Sequence, residues 1–205
     1  MVCHCSQSGC PMRKSQAFYK FVVRSLLVAG LFGAVHDQIS YSVSSEYFTK
    51  LKFVQFMLTD SIIPERIRAS LVGVLASWWM GIPLGILTGL AGYIHPTPVQ
   101  MHRALTLSIA VIVTFTLGFA LAGLAYGFFV TATTLNPADY ASWYIPRGLQ
   151  EPRHYLCAGH MHNAAYVGGA LSIPAAWVFH ILYKRRMKKF AGTPGNGSIT
   201  NDKQR

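Results

Sequence analysis

Apolar residues fall into four long runs, and the few charged residues gather between them. No Asp, Glu, Lys or Arg lies between Arg68 and Arg103, between Arg103 and Asp139, or between Arg153 and Lys184. About 20 mostly apolar residues let a helix cross the ~30 Å hydrocarbon layer. The gaps therefore predict helical spans at about 69–94, 104–131 and 163–183. A fourth, at about 18–36, carries Lys20 and Arg24 in its first turns, from which long side chains reach the headgroups. A cleaved signal peptide competes for this first segment, with a basic flank and an apolar core from Leu26 to Val35. Phe32-Gly33-Ala34-Val35 is a poor small-x-small cleavage site and Arg24 crowds the core, so the uncleaved helix is preferred. The pattern describes an all-α membrane protein. A four-transmembrane-helix bundle occupies 18–190, between tails at 1–17 and 191–205 that read as disordered.

The connections carry patterns of their own. Ile39, Tyr41 and Val43 alternate with Ser40, Ser42 and Ser44, which is extended-strand spacing. Ser44 or Ser45 then offers an N-cap, Glu46 suits a first helical turn, and Tyr47, Leu51, Val54 and Leu58 follow at helical spacing. This predicts a short helix along the membrane interface. Pro64 suits the first turn of the second span. The connection 132–159 is aromatic (Tyr140, Trp143, Tyr144, Tyr155), as an interfacial belt would be. A short link makes spans two and three antiparallel neighbours.

Small residues recur every four positions: Gly81, Gly85 and Gly89; Gly118 with Ala122 and Gly123 with Gly127; Ala164, Gly168 and Ser172. Such faces let helices approach closely in lipid. They serve either packing within the bundle, the preferred reading, or a homo-oligomer. Pro83 and Pro174 predict kinks in spans two and four.

Composition agrees with a membrane setting: 52% of residues are hydrophobic and 12% charged, against about 25% charged in soluble domains. Charge then orients the chain. Both termini on one side put Arg13, Lys14, Lys20, Arg24, Arg103 and seven basic tail residues there, against six on the other. The positive-inside rule makes that side cytoplasmic. The run Lys184-Arg185-Arg186-Met187-Lys188-Lys189 would meet anionic lipids, which accounts for the net charge of +11 without nucleic acid. The expected location is a bacterial cytoplasmic membrane.

In this topology two histidine-bearing stretches share the outer face, at or just above the hydrocarbon boundary. His36 and Asp37 end span one; His154, Cys157, His160, His162 and Asn163 precede or open span four; Glu46 joins from the first loop. His154, Cys157 and His160 recur every three residues, as one helical face presents them. Imidazole and carboxylate suit zinc, copper or iron. His36, His160, His162 and Glu46 are the candidate ligands, with Asp37, His154, Cys157 and Asn163 in support. Helix-end capping is the plainer alternative, because no motif of fixed metal spacing is present. Haem between His36 and His160 or His162, with His180 and His95 or His102 as a second pair, ranks lower. The CHC-x4-C cluster of Cys3, His4, Cys5 and Cys10 could hold a soft metal, but a frayed tail is preferred. Spans two to four carry no ionisable group near mid-depth, which disfavours coupled transport. A neutral-solute channel and a structural subunit whose outer loops bind a partner protein or lipid stay open.

The segment His36-Asp37-Gln38-Ile39-Ser40-Tyr41, continuing through Ser45-Glu46-Tyr47-Phe48-Thr49 to Lys52-Phe53-Val54-Gln55-Phe56, resembles a family of uncharacterised bacterial integral membrane proteins. His162-Asn163-Ala164-Ala165-Tyr166-Val167-Gly168-Gly169 is similar to that family's later motif. Ser45 departs from it, standing where relatives would have proline. The resemblance implies a polytopic bacterial membrane protein and carries no activity.

Overall fold

A computed structural model describes residues 12–60, 62–131 and 140–191, and is helical throughout apart from its turns. Four helical stretches are long and apolar enough to cross a membrane: Lys14–Val43, Glu65–Gly92, Pro98–Val130 and Pro152–Lys189. This is an all-α four-helix bundle fitted to a polytopic membrane protein.

The first span, α1 (Lys14–Val43), is longer at both ends than its apolar run. Residues 14–17, expected in a disordered tail, form its first turn, and Gln16 Oε1 accepts from the Arg13 amide at 2.9 Å. Residues 39–43 are helical, which overturns the strand reading. Gly30, Gly33, His36, Asp37 and Ser40 form one buried stripe at helical spacing, and burying that stripe outweighs the local alternation.

Ser44 then breaks out of the helix and its Oγ accepts from the Tyr47 amide at 3.2 Å. The expected surface helix is an 11-residue helical segment in three parts: α2 (Ser45–Tyr47), a π-helical turn (Phe48–Lys52) and α3 (Phe53–Gln55). Pro64 precedes α4 (Glu65–Ser77) as its N-cap instead of lying in the first turn. A 3-10 turn (Trp78–Met80) joins α4 to α5 (Gly81–Gly92), so the second span is interrupted just before Pro83.

Thr97 caps α6 (Pro98–Tyr126), its Oγ1 accepting from the Gln100 amide, and a π-helical turn (Gly127–Thr131) follows. The last helix, α7 (Pro152–Ala191), starts well before its apolar run and continues through Pro174. His154 and Cys157, expected in the connection before span four, therefore lie on the same helix as His160. The N-terminal cysteine cluster and the tails 1–11 and 192–205 lie outside the described residues.

Two tight pairs organise the bundle. Gly33 and Gly73 bring α1 against α4, where a Cβ on either glycine would fall 2.1 Å from the other's carbonyl oxygen. Gly81, Gly85 and Gly89 continue this contact along α1 at Ser25 and Phe18. Gly123 of α6 and Gly127 of the π-helical turn receive Ala164 and Cys157 of α7, and Gly168 of α7 receives Phe119. Tyr47, Phe48, Phe53, Val72, Tyr155 and Leu156 cluster beneath the 45–55 segment and cap one end of the bundle. The other end is basic, with Lys14, Lys20, Arg24, Arg103 and Lys184–Lys189, and is filled by Phe21, Met101 and Leu105.

Candidate metal centre

His36 and Asp37 are consecutive on α1, and His162 faces them from α7. All three are buried, and one ligand atom from each lies within 4.8 Å of the others. At 1.5 Å rise per residue they lie about 10 Å in from the end of α1 and about 15 Å in from the start of α7. The cluster is therefore inside the bundle under the aromatic cap, deeper than the helix-end position read from sequence.

His36 Nδ1 lies 2.9 Å from Asp37 Oδ1, and the two imidazoles meet edge to face with centroids 4.6 Å apart. His162 Nε2 lies 3.1 Å from Ser40 Oγ and 3.7 Å from Asp37 Oδ1. Serine and aspartate thus approach the same nitrogen. A relay that orients a base through one ring nitrogen and activates a serine through the other has no place here. Two buried atoms of the cluster, His36 Nε2 and Asp37 Oδ2, have no hydrogen-bond partner. If His36 donates its Nδ1 proton to Asp37, both open atoms are acceptors and call for a cation or a donor.

The roof comes from the surface segment. The Tyr47 ring lies 4.9 Å from His162, and Lys52 Nζ lies 5.5 Å over the Tyr47 ring. Burial pushes the Lys52 ammonium below its ordinary range, opposed by the Asp37 carboxylate. Burial likewise raises the Tyr47 phenol, with Tyr155, Tyr166 and Asp37 adding to it. Beneath the cluster is a chamber of about 120 Å³ bounded by α1, α4, α5, α6 and α7.

The other predicted ligands are elsewhere. His160 is two residues from His162, about 200° round a helix, and faces α6 and the loop. Its ring packs on Tyr126 and Trp143, and its Nε2 lies 3.3 Å from Tyr140 Oη. Glu46 accepts from the Gln150 and Glu151 amides at 2.9–3.1 Å and pairs with Lys50 at 2.6 Å. Lys50, then the two amides, hold its carboxyl down at about 2. It clasps the surface segment to the turn before α7. His154 pairs with Glu151 at 2.5 Å, Cys157 is buried against Gly127, and Asn163 is exposed.

Ser40, Tyr47 and Lys52 were not expected at the centre. Ser40 was legible as the residue four after His36, had residues 39–43 been read as helix.

At the basic end, His95 Nε2 and His180 Nδ1 are 3.0 Å apart, while His102 meets Arg24. Burial, with Lys184 and Lys14 nearby, lowers His95. Both imidazole pairs are in direct contact, which leaves no room for a haem between the rings. No protein-family model, curated protein or solved structure matches the chain.

Proposed function

We propose that this protein is an integral membrane metalloprotein whose centre is His36, Asp37 and His162. Two imidazoles and one carboxylate are the donor set shared by catalytic zinc and non-haem iron sites, which keep coordination positions open. Tetrahedral bonds of about 2.0–2.1 Å set donors about 3.3 Å apart, so binding would draw the cluster together. An ion there could activate water or a bound oxygen ligand by polarising it. The observation that carries the reading is the pair of unpartnered acceptors, His36 Nε2 and Asp37 Oδ2, buried in one three-residue cluster. Two open acceptors in an apolar interior are costly unless something fills them. A divalent first-row transition ion meets both.

The orientation read from charge belongs to the same proposal. The basic end faces the cytoplasm of a bacterial cell and its anionic leaflet, and the capped end faces out. A through-channel is less well supported, because Phe21, Met101 and Leu105 fill the basic half.

Elemental analysis of detergent-purified protein tests the centre. About one equivalent of metal is expected in the wild type and in His160→Ala, and a loss of most of it in His36→Ala and His162→Ala. Metal-free wild type, or metal that survives both ligand substitutions in folded protein, sinks the proposal.

A further inference from the structure

The chamber under the cluster is long and has only one polar end. Along α1 its wall runs from Ser25 to Asp37, twelve residues or about 18 Å of helix. Its serine and threonine hydroxyls are occupied by backbone. Ser25 Oγ donates to the Phe21 carbonyl, Thr116 Oγ1 to the Ile112 carbonyl, and Ser77 Oγ contacts the Ala29 and Gly73 carbonyls at 2.7 and 2.6 Å. What the wall offers a guest is therefore hydrocarbon from Ser25 up to the His36–Asp37–His162 cluster. That cluster, with the two unpartnered acceptors buried inside it, closes this end.

In its upper half the chamber lies between the α1–α4 pair and the α6–α7 pair. Tyr166 of α7 both lines it and is 51% exposed on the bundle surface. At that point a single residue separates the chamber from the lipid-facing surface of the bundle. Gly169, one turn deeper on α7, is buried, yet a Cβ built on it meets nothing within 4 Å. A buried glycine with open space where its side chain would be marks a cavity that the fold has left unfilled.

From this we infer that the chamber binds a single-chain amphiphile, its tail along α1 toward Ser25 and its oxygen-bearing head at the His36–Asp37–His162 centre. The inference rests on the metal reading for the head contact, since an oxygen lone pair would take an open position on the ion. Length decides for a chain over a compact apolar molecule. The half-exposed wall at Tyr166, on a membrane-spanning helix, decides for a lipid-phase ligand over an aqueous one.

The probe is a long-chain fatty acid carrying a mid-chain diazirine, offered to the full protein in lipid nanodiscs and photolysed. The expected result is crosslinking within Ile109–Val113 and Ala165–Gly169 that unlabelled oleic acid competes away. Gly169→Leu should lower it by about fivefold or more, the smallest penalty typical of overpacking. Gly118→Leu, whose Cβ also meets nothing but whose residue is exposed, should leave it unchanged.

Labelling spread over outward residues such as Leu107 and Leu121, and not competed, overturns the inference. The competition arm needs no variant, so a poorly folding Gly169→Leu does not rescue it. Metal measured on the same samples separates the two proposals. Bound metal without competed labelling removes the chain site and leaves the centre standing. Competed labelling in metal-free protein, equal in His36→Ala, removes the centre and the head contact together.

Discussion

Asp37 and Glu46 are both acids near the first connection, and their surroundings give them opposite work. Asp37 is buried between two imidazoles with one oxygen unpartnered. Glu46 lies at the surface with both oxygens engaged by amides and Lys50. Its carboxyl sits at about 2, below the ordinary 4.5. The sign follows from linkage: a depressed acid favours the folded form above the unfolded value, and loses that contribution as pH falls through the folded one. The clasp on the turn before α7 is therefore intact above about 4.5 and released as pH falls toward about 2. Glu46→Gln should speed amide exchange at Gln150 and Glu151 at neutral pH and remove the acid-dependent change at those sites. Hydrogen exchange followed by mass spectrometry reads both effects. Unchanged protection in Glu46→Gln would mean that the turn is held by other contacts.

Helices here are longer than the runs that announce them. Uncharged gaps place the four spans, because charge is expensive in the hydrocarbon layer. They miss the ends, because Lys14, Glu65, Arg153 and Lys188 sit on helical turns where water or headgroups can solvate them. The same error split the centre. His36, Asp37 and His162 were legible as ionisable groups in apolar surroundings, but His160 and His162 looked equivalent until a continuous α7 set them about 200° apart. Glu46 looked like a ligand because composition cannot show that two amides, 104 and 105 residues away, already occupy it. Spacing did reveal the small residues, although not which helix each would meet. Gly73 tests that contact: a Cβ there would fall 2.1 Å from the Gly33 carbonyl oxygen. Gly73→Ala should cost about 1–3 kcal/mol by forcing α1 and α4 apart. Gly118→Ala, with open space around it, should be within about 0.5 kcal/mol of neutral or slightly stabilising. Thermal unfolding in one detergent compares them, and equal effects would show that the Gly33–Gly73 contact does not hold the pair.

Across the whole molecule the two ends differ in how their charges are used. Among the described residues, the acids Asp37, Glu46, Asp60, Glu65 and Glu151 all lie toward the capped end. The bases beside them are largely engaged: Lys50 with Glu46, Arg68 with Glu65 and the Leu58 carbonyl, Arg66 with Gln38 and Ser42. At the opposite end Lys184, Arg185, Arg186, Lys188 and Lys189 follow one another on a single helix with no acid in the run. Anionic headgroups lower the energy of basic residues near their surface by about 1 kcal/mol each. In the proposed orientation that run meets the anionic leaflet; the reverse would exchange it for Lys50, Arg66 and Arg68, which are already engaged, together with Lys52, Arg147 and Arg153. The folded charge pattern thus supports the proposed orientation as the residue count does. In a cysteine-free background, Ser142→Cys at the capped end should react with an impermeant maleimide in intact bacterial cells. Val99→Cys, 70% exposed in the wild type at the basic end, should react only after permeabilisation. The reverse pattern would turn the capped His36–Asp37–His162 cluster toward the cytoplasm, and with it the side from which the proposed ion would arrive.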